Sequence, residues 1–206
     1  MNLIKSTGAF GFFTLLSRIS GYVRDVLIAI FLGSGPIADA FFVAFRLPNT
    51  FRRLFSEGTF NAAFVPSYTA EKTVSEKNAK QFASKIFNLL LFSLLILTII
   101  IEIFMPSFIH LIAPGFNEDP DKFDLTVNLT RITFPFLLFV SLSSFLSAIL
   151  NSHNKFSVAA ASPIILNIFL ILTLLFNNNI NDELVLNISY VVSISGLVQL
   201  IILIFF

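Results

Sequence analysis

Eight ionisable residues fall inside the two apolar stretches that open the chain: Arg18, Arg24, Asp25, Asp39, Arg46, Arg52, Arg53 and Glu57. A charge at mid-bilayer costs about 2.5–3.5 kcal/mol on insertion scales. A segment that keeps eight of them must turn them towards a protein interior or a water-filled cavity. There they meet each other or a polar cargo. Five are positive and three negative, so the surface they make is net positive and points to an anionic cargo. Every positive charge in the two stretches is arginine. A guanidinium fork holds phosphate bidentately and stays charged when partly dehydrated. A pyrophosphate would engage several of these forks together.

Spacing then decides which of the eight share a face. At about 100° per helical residue, Arg18 and Asp25 lie within about 20° of each other, and Arg24 sits about 120° round from Arg18. Gly21 lies between them, and Ser17 and Ser20 flank the same sector. Small residues there let a neighbouring helix or a ligand approach closely. A structural contact between Arg18 and Asp25 on stacked turns and a ligand-binding pair are both open; Arg24 is read as a ligand. In the second stretch Asp39, Arg46 and Arg53 recur every seven residues and share a face of a straight helix. Pro48 argues against straightness, because it removes a backbone donor and clashes with the carbonyl four residues back. A bend there would bare backbone polar groups beside Arg46, Asn49, Arg52 and Arg53, as transporter helices do at substrate sites. A kink of packing origin alone is the other reading. Arg53 and Glu57 stand at i, i+4 and can satisfy each other or snorkel to the interface. Arg52 has no such partner. The candidate binding residues are therefore Ser17, Arg18, Arg24, Arg46 and Arg52. Asp25, Asp39, Arg53 and Glu57 are the candidate switchable charge partners, and Gly21 and Pro48 the candidate hinges.

The elements that would carry these residues are membrane helices. The chain is 56% hydrophobic and 12% charged, whereas soluble domains carry about 25% charged residues. Six spans of the length a bilayer needs are predicted, over residues 9–32, 37–64, 82–104, 125–150, 158–176 and 184–206. Turn chemistry separates them at Gly33 to Pro36, Pro66-Ser67, Pro106, Ala113-Pro114-Gly115, Asn151 to Asn154 and Asn177 to Asn179. The fold class is all-α and polytopic. Six lysines (Lys5, Lys72, Lys77, Lys80, Lys85, Lys155) fall on one side of this arrangement and only Lys122 on the other. The N-terminus and the loop 72–85 are therefore expected in the cytoplasm, and the acidic loop 117–124 outside. The apolar run ending at Phe206 has no flanking basic residue, and a truncated chain is expected.

Other chemistries find little footing. There is no basic tract with interleaved aromatics outside the apolar segments, so no nucleic-acid partner is expected. No cysteine is present, which removes disulfides and thiolate sites. His110 and His153 read as isolated loop residues without metal-ligand spacing, and no cofactor motif occurs. Arg131 is expected to snorkel or to pair with Asp124 or a neighbour, and Glu102 to sit at an interface. An enzyme acting on isoprenoid diphosphates would need acidic metal-binding clusters at depth, whereas the acidic cluster 118–124 lies in an outer loop.

The run Asp39-Ala40-Phe41-Phe42-Val43-Ala44-Phe45-Arg46-Leu47-Pro48-Asn49 continues through Arg52-Arg53-Leu54-Phe55-Ser56-Glu57-Gly58 and Phe64-Val65-Pro66. Together with Ser17-Arg18, Gly21-Tyr22-Val23-Arg24-Asp25, Ala113 to Phe116, Ile132 to Pro135 and Ala148 to Asn151, it resembles the signature of the MurJ (MviN) family. These are lipid II flippases of the multidrug/oligosaccharidyl-lipid/polysaccharide exporter superfamily. The resemblance implies the N-terminal lobe of a two-lobed flippase built round a central cationic cavity. It implies cavity roles for Ser17, Arg18, Arg24, Asp25, Asp39 and Arg52, with Glu57 a further charged position. It also implies a second lobe, absent from this chain, that supplies another arginine. The expected partner is undecaprenyl-diphosphate-linked peptidoglycan precursor in the bacterial inner membrane. Transport is expected to draw on the membrane potential or a cation gradient. A polysaccharide lipid of another kind, or a drug, is the alternative cargo.

Overall fold

The computed structural model describes the backbone of residues 3–56, 59–177 and 182–206, and the side chains of residues 8–51, 62–177 and 183–206. Every element among the described residues is helical: α1 (Leu3–Leu32), α2 (Pro36–Ser56), α3 (Thr59–Val74), α4 (Glu76–Ile103), α5 (Met105–Ile112), a 3-10 turn (Pro114–Glu118), α6 (Pro120–Thr133), α7 (Phe136–Ser152), α8 (Phe156–Ala161), α9 (Ile164–Phe176) and α10 (Asp182–Ile204). Among the described residues, four stretches are long and apolar enough to cross a membrane: Glu76–Ile103, Pro120–Ser152, Phe156–Phe176 and Glu183–Ile204. Helices α1 and α2, of 30 and 21 residues, have the length but carry the charges described above.

The expected span over residues 37–64 is met by two helices, α2 and α3. Glu57 and Gly58 between them lie outside the described residues. The expected spans 125–150 and 158–176 are each divided by a proline. Pro135 separates α6 from α7, and Pro163 separates α8 from α9, because neither residue has an N–H to continue the ladder. Pro48 behaves differently. Helix α2 runs through it, and its missing N–H orphans the Ala44 carbonyl. The Thr133 hydroxyl of α6 donates to that carbonyl at 2.8 Å, so the vacancy is filled from another helix. Pro66-Ser67, expected to be a turn, lies inside α3, whereas other loops match the sequence punctuation. Gly33 closes α1 at φ 63°, Asn154 turns between α7 and α8 at φ 61°, and Ser75 and Asp119 accept from the first-turn amides of α4 and α6.

Three apolar clusters hold the helices together. Ile28, Phe41, Phe45, Leu170 and Ile188 join α1, α2, α9 and α10. Phe64, Tyr68, Leu94, Leu142 and Phe145 join α3, α4 and α7. Leu47, Met105, Phe134 and Leu137 join α2 and α5 to the α6–α7 break. Helix α10 packs so closely on α7 that a Cβ on Gly196 would lie 2.6 Å from the Phe136 ring. The outer face of α4 is the reverse. Leu89, Phe92, Ile96, Ile99 and Ile103, spaced by three and four, are each between 55% and 65% exposed. That stripe suits lipid and not water, and the chain is a multi-pass membrane protein.

Candidate functional site

Helices α1, α2 and α9 converge on a cleft of about 660 Å³ lined by Ser17, Gly21, Arg24, Phe45, Arg46, Asn49, Thr50, Pro163, Leu166 and Asn167. Arg24 is its centre. Its side chain is only 16% exposed, against 63% for Asp25. Nε and Nη2 of Arg24 both donate to Oδ1 of Asp25, at 3.0 and 2.7 Å, and Nη1 donates to Oδ1 of Asn167 at 2.7 Å. The guanidinium also stands 5.5 Å from the Phe45 ring centroid, a favourable cation–π distance. Asn167 returns two bonds to α1, from Nδ2 to the Ser17 carbonyl and to the Ser20 hydroxyl, each 3.0 Å.

The predicted residues separate into distinct fates. Ser17, Gly21, Arg24 and Arg46 line the same cleft, with Arg46 exposed and 5.8 Å from the Phe42 ring. Arg18 is exposed, is not among the lining residues, and has no partner among the described residues. The contact considered between Arg18 and Asp25 does not form. Seven residues separate their backbones by about 10 Å along the axis, and Asp25 is taken by Arg24 beside it. Asp39 does not pair with Arg24 either. Its Oδ2 accepts from Lys122 Nζ at 2.6 Å, and that ammonium also lies 4.0 Å from the Phe116 ring centroid. The side chains of Arg52 and Arg53, and the whole of Glu57, lie outside the described residues. Gly21 and Pro48 both sit within unbroken helices.

Sequence reasoning that weighs ionisable groups misses Asn167. The signal was available: a single amide in the apolar run Ile164–Phe176, which in hydrocarbon must find a partner on another helix. Asn49 and Thr50 were also legible as polar residues one turn after Phe45 and Arg46, whose carbonyls their side chains cap at 2.9 and 3.0 Å. His110 and His153 are not the isolated loop residues expected. His110 lies in α5 against the Phe123 ring. His153 sits between the Tyr68 hydroxyl at 2.9 Å and Lys72 Nζ at 3.0 Å, tying α3 to the end of α7. Burial, then the Glu76 carboxylate, raise the Tyr68 phenol above its ordinary value, so it remains a neutral hydrogen-bonding group. Arg131 makes no ion pair with Asp124 and is exposed. Among the described residues no group of carboxylates and histidines could hold a metal ion.

The family model "Lipid II flippase MurJ" matches residues 28–206. The chain belongs to the MurJ family. It is 46% identical over 204 residues to a probable lipid II flippase MurJ of Buchnera aphidicola subsp. Acyrthosiphon pisum, covering 98% of this chain and 40% of that relative. The corresponding Rickettsia prowazekii protein is 43% identical over 202 residues, covering 98% and 39%. A solved structure, "Lipid II flippase MurJ, inward closed conformation", superposes with a TM-score of 0.79 at 30% identity, covering 95% of this chain and 41% of that one. The chain thus spans about two fifths of the length of the MurJ relatives it matches.

Proposed function

We propose that this chain is the N-terminal lobe of a transporter, not an enzyme, that flips lipid II from the cytoplasmic to the outer leaflet by alternating access. The observation that carries this reading is the Arg24 guanidinium, shielded from solvent in a cleft between three helices and still able to bind an anion. In a low-dielectric site a charge-assisted bond to diphosphate is among the stronger polar contacts available. Arg24 and Arg52 would hold the diphosphate, Ser17, Arg18 and Arg46 would meet the rest of the head group, and the undecaprenyl tail would stay in the bilayer. Asp25, Asp39, Arg53 and Glu57 would exchange partners between states, with Gly21 and Pro48 as flexing points. A second lobe, beyond these 206 residues, would close the cavity.

Six crossings follow from this reading: α1, α2 with the start of α3, α4 with α5, α6 with α7, α8 with α9, and α10. The N-terminus lies in the cytoplasm of a bacterial inner membrane. No cofactor enters. Moving one charge through the membrane is worth about 2.3 kcal/mol per 100 mV, enough for the potential, or a cation gradient, to bias the cycle. Full-length protein carrying Arg24→Ala or Arg52→Ala is expected to fail to restore growth to a flippase-depleted strain. Full rescue at normal expression would overturn the assignment.

A further inference from the structure

We infer that Asn167 is the permanent anchor of the Arg24 guanidinium, the partner that stays in place while Asp25 gives way to the anion. The inference rests on the reading of Arg24 as a diphosphate ligand. A guanidinium has five N–H donors. Three of them are occupied in the structure, two by Oδ1 of Asp25 and one by Oδ1 of Asn167, which leaves two for an anion.

The two acceptors differ in every property that decides which can leave. Asp25 is charged, 63% exposed, and uses a single oxygen. Exposed ion pairs are worth little and exchange readily, so an incoming phosphate oxygen can take its place. Asn167 is 4% exposed, and its orientation is forced from both sides. The Ser17 carbonyl can only accept, so it must face Nδ2; the guanidinium can only donate, so it must face Oδ1. With both Nδ2 hydrogens spent on Ser17 and Ser20, the amide cannot rotate without breaking two bonds between α9 and α1. Being neutral, it aims the cation without cancelling the charge the anion needs. Asp25 cancels that charge; Asn167 preserves it. Asn167 is therefore a positioning residue acting through Arg24.

A double-mutant cycle tests this in the full-length chain, with undecaprenyl diphosphate as probe and binding and thermal unfolding both measured. Arg24→Ala is expected to weaken binding. Asn167→Leu is expected to weaken it about tenfold, the scale of losing an orienting partner, and to add nothing in the Arg24→Ala background. Asn167→Asp keeps the shape and the acceptor on the guanidinium, loses the two donors to Ser17 and Ser20, and places a second carboxylate on the cation; it is expected to melt at a lower temperature than wild type and, measured below that melt, to bind more weakly. If Asn167→Leu costs the same with and without Arg24, Asn167 acts by another route and this inference falls while the cargo reading stands. If Arg24→Ala binds the probe as wild type does, the cargo reading falls and takes the inference with it. If Asn167→Leu does not fold, Asn167→Asp decides, and binding at the wild-type level overturns the inference.

Discussion

Asp39 and Thr133 show how far a polar group's partner can lie from anything near it in the chain. Asp39 was read as a switchable charge partner, and its carboxylate accepts from Lys122, 83 residues on. Thr133 reads as an ordinary residue at the end of a mixed polar and apolar helix, yet its hydroxyl fills the acceptor that Pro48 leaves open, 89 residues back. An unmet carbonyl in a buried, water-poor setting costs about 1–3 kcal/mol. Thr133→Val is expected to lower the unfolding free energy by about that amount, and Thr133→Ser to retain it, as read by thermal unfolding in detergent. Equal stability of the two variants would show that the hydroxyl is not used. The charges of the cleft were legible because burying them is so unfavourable that few explanations survive. The amide of Asn167 was less legible, since a neutral polar side chain costs far less to place and only its neighbours reveal its use. Which carboxylate meets which cation was not legible at all, because spacing along one helix says nothing about the helix beside it.

Among the elements, the helical, membrane-spanning character was legible in runs of apolar residues, whereas helix boundaries yielded to prolines. Pro135 and Pro163 each divide one expected span into two helices, while Pro48 does not divide α2. At Pro48 the orphaned carbonyl accepts from Thr133 of a neighbouring helix, a partner that is invisible in the local sequence. The close contact of α10 with α7 was equally hidden, because Gly196 reads as a weak point in a helix and not as a packing device. Gly196→Val is expected to force the two helices apart and destabilise the fold by about 1–3 kcal/mol, the range for overpacking. Gly21→Ala, whose added carbon would meet Asn167 at an ordinary 3.5 Å, is expected to be nearly neutral. Expression level and melting temperature of the two variants, measured side by side, check the contrast. Comparable losses at both positions would contradict the packing described.

Across the whole molecule, two groups of polar contacts among the described residues mark opposite ends. Lys122 and Asp39 meet beside the loops that follow α1 and α5; Tyr68, Lys72 and His153 meet where α3 comes against the end of α7. Because this sequence has no cysteine, single cysteines can report which end faces out. Asp121→Cys is expected to react with an impermeant maleimide in intact spheroplasts, and Lys77→Cys only after lysis; the opposite pattern would invert the proposed orientation. The two ends also bear on how α2 can move. Its first half is clamped to α6 at two points, Asp39 on Lys122 and the Ala44 carbonyl on Thr133, both directional. Past Pro48 the described contacts to that side are the Phe51 ring against Phe108 and Phe134, which can slide. Helix α2 is thus held on its α6 side by two directional bonds before Pro48 and by ring contacts at Phe51 after it, so a load on the helix meets a stiff grip first and a yielding one second.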